Sequence, residues 1–80
     1  MRIRFYGPLA EAIGREVELP GEPGGTLRDV RRRLIASHPS VAEALARPAV
    51  RACLDDEVVG DDTVVPEGAE LAFLPPLSGG

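Results

Sequence analysis

One stretch of the chain carries a helical stripe long enough to cover a sheet, and that limits the folds open to it. Thr26, followed by Asp29, reads as a capping pair, after which Leu27, Val30 and Leu34, with Ile35 beside them, recur at helical spacing. Elsewhere the apolar residues alternate. Met1, Ile3 and Phe5 alternate with Arg2, Arg4 and Tyr6, Val17 and Leu19 with Glu16 and Glu18, and Glu70 to Leu74 make a last strand. A chain of 80 residues cannot support two independent cores. The expectation is one α+β domain, a sheet curled over a single main helix.

Shorter elements fill the gaps. Pro8 suits a first helical position and Gly14 the position after the last, which predicts a short helix between the first two strands. Ser40-Val41-Ala42-Glu43 reads as a capping box for a second short helix that stops before Pro48. Val50 to Leu54 form a strand, and Asp55-Asp56-Glu57 and Asp61-Asp62 read as turns around a short strand at Val58-Val59, not as a metal site. Alternation sends Met1, Ile3, Phe5, Val17, Leu19, Leu71 and Phe73 toward the helix. Arg2, Arg4, Tyr6, Glu70, Ala72 and Leu74 are left on a face with no helix over it. Tyr6 and Leu74 there, with Val58 or Val59 if the register allows, predict a partner-docking patch.

Composition narrows the function classes. The net charge of −4 disfavours nucleic acid as a partner, and no apolar run approaches a membrane span, so a cytoplasmic protein is expected. All nine basic residues are arginine. Arg28, Arg31, Arg32 and Arg33 are expected to lie on the solvated side of the main helix. Cys53, the single cysteine, is expected to be a buried, inert thiol, and His38 a helix-terminal or surface residue. No nucleophile and base pair, metal cluster or phosphate loop is visible, so the chain is not expected to be catalytic alone.

The chemistry then falls to the tail. Pro75 and Pro76 each fix φ and lack an N–H, so the last strand ends and the chain is held extended. Leu77 and Ser78 follow, then Gly79 and Gly80, which have no Cβ and can thread a channel too narrow for other residues. From Pro75 the tail reaches at most about 20 Å at roughly 3.3 Å per residue. This divides the chain into a domain over residues 1–74 and an extended tail over 75–80. A terminal carboxylate is an anion at neutral pH and a poor electrophile, so Gly80 needs activation before it can react.

The run Phe73-Leu74-Pro75-Pro76-Leu77-Ser78-Gly79-Gly80 resembles the C-terminal signature of the MoaD/ThiS family of ubiquitin-like sulfur carriers, closest to its molybdopterin synthase small-subunit branch. The likeness extends to the first strand, the order of elements and the turn Glu67-Gly68-Ala69-Glu70. It implies a β-grasp fold and no bound cofactor. It also implies that a ubiquitin-activating-like adenylyltransferase uses ATP to adenylate Gly80, and that a sulfur donor of cysteine desulfurase or rhodanese type converts it to a thiocarboxylate. The tail would then enter the large subunit of molybdopterin synthase, in a heterotetramer, and give sulfur to cyclic pyranopterin monophosphate. Carried over by residue, Gly80 bears the sulfur, Gly79, Ser78, Leu77, Pro76 and Pro75 thread the channel, and Tyr6, Val58 and Leu74 contact the partner. Asp55 stands where the family often has asparagine. A carrier serving thiazole synthesis, transfer-RNA thiolation or protein conjugation shares the same terminal chemistry, and a ubiquitin-like interaction domain with an inert tail is the reading from another class.

Overall fold

The computed structural model describes residues 1–21, 24–47 and 50–75. Five strands, β1 (Arg2–Phe5), β2 (Glu16–Glu18), β3 (Arg51–Leu54), β4 (Glu57–Val59) and β5 (Glu70–Leu74), form one sheet in the order β2-β1-β5-β3-β4. β1 and β5 run parallel at its centre, while the other pairings are antiparallel. Helix α2 (Leu27–Ser37) crosses one face. This mixed sheet over one main helix is the β-grasp arrangement expected from the sequence.

Helix α1 (Pro8–Ile13) begins at Pro8 and ends at Gly14, whose φ of 106° no L side chain adopts comfortably. Thr26 and Asp29 form the capping box: the Asp29 carboxylate accepts from the Thr26 N–H at 2.9 Å, and the Thr26 hydroxyl accepts from the Asp29 N–H. These bonds to Thr26 hold the Asp29 carboxyl below its usual range. The depressed folded value means that its contribution to stability is present above the ordinary carboxylate range and is lost as pH falls through the folded value. Thermal melts should therefore show a gap between the parent and Asp29→Asn at neutral pH that closes below about pH 4. Thr26→Ala is expected to cost about 1 kcal/mol at neutral pH, measured by urea unfolding.

The core gathers Ile3 and Phe5 of β1, Leu71 and Phe73 of β5, Ala52 of β3, and Leu27, Val30 and Leu34 of α2, all buried. Phe5 and Phe73, paired across the parallel strands, stack with ring centroids 5.8 Å apart. Met1, Val17 and Leu19 pack against this cluster half-buried, because β2 is an edge strand. The turn between β3 and β4 is Asp55-Asp56, both at positive φ, 48° and 72°. That is the backbone a two-residue hairpin needs, and aspartate tolerates it better than most residues.

Three expectations are corrected. Ser40 does not cap a helix: Pro39–Val41 form a 3-10 turn, and α3 (Ala42–Ala46) follows with Val41 at its cap position and no side-chain capping bond. Ser40 lies inside that turn, one residue short of where a capping hydroxyl must stand. Arg31 is not on a solvated face. Its side chain is only 14% exposed, donates to the carbonyl oxygens of Leu45 at 2.6 Å and Val50 at 2.9 Å, meets Asp61 at 3.1 Å, and lies 5.1 Å over the Phe73 ring. Arg28 does remain at the surface, paired with Asp62 at 2.8 Å. The third correction is Cys53, which is half-buried on the open face of the sheet instead of in the core.

Candidate functional site: the open sheet face and the root of the tail

Strand register decides which side chains share the uncovered face. Arg4, Ala72, Cys53 and Val58 stand side by side across β1, β5, β3 and β4, and the next row toward the tail pairs Leu74 with Arg51. Opposed residues in a sheet project to the same side. Tyr6 follows Phe5, the partner of Phe73, so it stands level with Leu74. Tyr6 and Val58 are exposed, at 45% and 55%, and Leu74 is half-buried. The three predicted contact residues thus lie on one face, with Ala72 and Cys53 between them. Cys53 is the member that sequence reasoning missed. The signal was available, because Cys53 alternates with the buried Ala52 just as Arg51 does.

The other half of this face is charged. Arg2 and Arg4 interleave with Glu16 and Glu70 at 3.4 to 3.9 Å, all about half-exposed. The Tyr6 hydroxyl, then the Glu70 carboxylate, hold the Arg4 guanidinium above its usual range. A hollow of about 170 Å³ lies between Arg4, Tyr6, Cys53, Ala72 and the Asp55-Asp56 turn. The face therefore grades from ion pairs among β2, β1 and the start of β5 to Ala72, Leu74, Cys53 and Val58 across β5, β3 and β4, with the exposed Arg51 at its margin. Such a gradient suits an interface with an apolar centre and a polar rim.

The tail leaves from the centre of the sheet. β5 is hydrogen-bonded on both sides, and Leu74 and Pro75 carry the chain off its end beside Gly7. Gly7 has φ 63°, and a Cβ there would come within 3.1 Å of the Pro75 ring. A glycine thus lets the first loop pass directly under the root of the tail. Pro75 also borders an apolar groove of about 250 Å³ formed with Leu9, Val41, Ala44 and Val50. The predicted residues Pro76, Leu77, Ser78, Gly79 and Gly80 lie outside the described residues.

Other candidates recede. Asp61 and Asp62 are tied to Arg31 and Arg28, and no group of carboxylate, histidine and thiol side chains that could hold a metal ion occurs among the described residues. His38 sits at the C-terminal cap of α2. Among the described residues no helix is long and apolar enough to cross a membrane.

Comparison with known proteins agrees with this geometry. The sequence model of the ThiS family matches residues 3–80. The chain is 25% identical over 80 residues to the molybdopterin synthase sulfur carrier subunit of Escherichia coli strain K12, covering 100% of this chain and 99% of that one. SAMP1 from Haloferax volcanii superposes with a TM-score of 0.82 at 24% identity, covering 99% of this chain and 97% of the other. A structure of subunits 1 and 2 of the molybdopterin-converting factor from Helicobacter pylori 26695, solved as a protein-protein complex, gives 0.67 at 20% identity, with 99% and 96% covered. The structural likenesses carry the fold, and the match over residues 3–80 carries the family: the chain belongs to the ThiS family of ubiquitin-like sulfur carriers.

Proposed function

We propose that this sulfur carrier is the small, sulfur-donating subunit of a molybdopterin synthase. The observation that supports it most is the joining of two features, a Pro-Pro-Leu-Ser-Gly-Gly tail and an open face with Tyr6 and Leu74 at its root and Val58 farther across it. In this reading the Gly80 carboxylate attacks the α-phosphorus of ATP on a ubiquitin-activating-like adenylyltransferase, releasing pyrophosphate. The terminal sulfur of a persulfide on a cysteine desulfurase or rhodanese-type donor then displaces AMP to give an acyl disulfide. A thiol cleaves its S–S bond, releasing the thiocarboxylate as the thiol is oxidised to a disulfide with the donor cysteine. The resulting thioacid is largely ionised at neutral pH and needs no pKa-lowering pocket of its own. The domain docks on the large subunit through the open face, and the tail carries sulfur to a pterin precursor bound there. The Escherichia coli relative is named for this role, and the Helicobacter pylori assembly pairs the two subunits.

Intact mass after incubation with ATP, activating enzyme and sulfur donor tests the chemistry. The expected result is replacement of one oxygen by one sulfur at Gly80, and an unchanged mass would sink the reading. Docking is tested separately by Val58→Arg. An exposed strand position tolerates the change with little effect on melting temperature. A desolvated charge at the centre of an interface should weaken large-subunit binding about tenfold or more, read by titration calorimetry. The likeness to the small archaeal modifier protein 1 of H. volcanii favours one second reading, a protein modifier. Incubation with cell extract and ATP separates the two, since a modifier forms conjugates to other proteins that withstand reducing gel electrophoresis.

A further inference from the structure

Resting on the sulfur-carrier reading, we infer that the carrier is kept free of usable primary amines around its tail. Its own activated terminus therefore survives until a partner's nucleophile meets it. Activation makes the Gly80 carbonyl carbon an acylating centre, and an amine within reach would capture it. The amine nitrogen would attack that carbon, a C–N bond would form, the C–O bond to AMP would break with AMP leaving, and the surplus proton would pass to water. The product is an amide that carries no sulfur.

Three features of the chain close off that loss. The sequence contains no lysine at all, although it carries nine basic residues. The remaining primary amine, at Met1, donates a hydrogen bond to the Leu19 carbonyl oxygen at 2.6 Å and lies 3.6 Å from the Glu18 carboxylate. It also stands at the far end of the sheet. Because β1 runs parallel to β5 with Arg2 beside Glu70, Met1 stands level with Ala69, six strand residues or roughly 20 Å from Pro75, beyond the reach of the residues that follow Pro75.

The third feature is local to the tail. Arg51 sits opposite Leu74, and Arg47 borders the groove that holds Pro75, both exposed. Five residues beyond Pro75 span up to about 17 Å, so both positions fall within the sweep of the terminus. Each provides positive charge without a nucleophile, because a guanidinium does not lose its proton in proteins. A lysine of ordinary pKa would be neutral in roughly one molecule of 250 at pH 8, more than a hundredfold above an arginine. Positive charge at the root of the tail is thereby kept while amine reactivity is not.

The test installs the activated terminus chemically, so that it needs no activating enzyme. The full chain is prepared as a C-terminal thioester through an intein, held at pH 8, treated with hydroxylamine and weighed intact. Hydroxylamine cleaves esters and thioesters formed with hydroxyl groups or Cys53 but leaves amides. The parent should give only the hydroxamate and the hydrolysed acid. Arg51→Lys and Arg47→Lys should each add a hydroxylamine-resistant monomer one water lighter than the acid, roughly hundredfold or more above the parent. A resistant amide in the parent would overturn the inference, as would its absence from both lysine variants. Failure of enzymatic thiocarboxylation would instead remove the sulfur-carrier reading and leave this result standing.

Discussion

Removal of Gly80 alone should abolish sulfur transfer while leaving the domain's melting temperature within about 2 °C of the parent. Among the described residues every buried core side chain lies between Ile3 and Phe73, and a glycine has no side chain to take out of a core. On the proposed sulfur-carrier reading, function is lost because the new terminus, Gly79, stops one residue short, about 3.3 Å, of where the partner site would meet the reacting carbon. A displacement on the scale of 1 Å is enough to cost a positioned reaction about a hundredfold. Gly80→Ala discriminates threading from reach: it restores length and carboxylate but adds a Cβ, and should recover adenylation only partly. Pyrophosphate release and intact mass read the two steps. A large fall in melting temperature on deletion would show that the terminus belongs to the fold.

Arg31→Ala should be the most damaging single change outside the apolar core, at about 3 kcal/mol, or roughly 12–24 °C in melting temperature. The side chain ties α2 to four other parts of the chain. Its guanidinium donates to the Leu45 carbonyl at the end of α3 and to Val50 just before β3, meets Asp61 beyond β4, and covers the ring of Phe73. Truncation leaves two carbonyls without their donor and uncovers the aromatic side chain one residue before Leu74. Arg31→Lys should recover less than half of the loss, since an ammonium cannot fork to two carbonyls while lying flat on a ring. Chemical denaturation of the three proteins gives the comparison, and indistinguishable midpoints would refute the role.

Arg31 also shows where the sequence was legible and where it was not. Its spacing, four after Leu27 and three before Leu34, places it on the buried stripe, and only its residue type argued for solvent. The type misled because a long side chain can bury its stem and still satisfy its charged end with backbone carbonyls supplied by other elements. Thr26 and Asp29 were legible because a capping box is complete within four residues. Asp55-Asp56 was legible because positive φ at two successive residues narrows the residue types that fit. Ser40 has the right spacing to Glu43, but Pro39 opens a 3-10 turn that shifts the helix start past it. Tyr6 and Leu74 could be placed on one face by alternation, and Cys53 could have been by its alternation with Ala52, whereas the register that selects Val58 over Val59 is set by the pairing of β4 with β3 and of β3 with β5, far along the chain.

The parallel contact between β1 and β5 has a consequence for biosynthesis. A nascent polypeptide leaving the ribosome has made Ile3 and Phe5 long before Leu71 and Phe73 exist to bury them. The central ladder cannot close until residues 70–74 clear the exit tunnel, so the domain folds late and as a whole. The open face that carries Tyr6 and Leu74 is thereby complete only in molecules translated through their final strand.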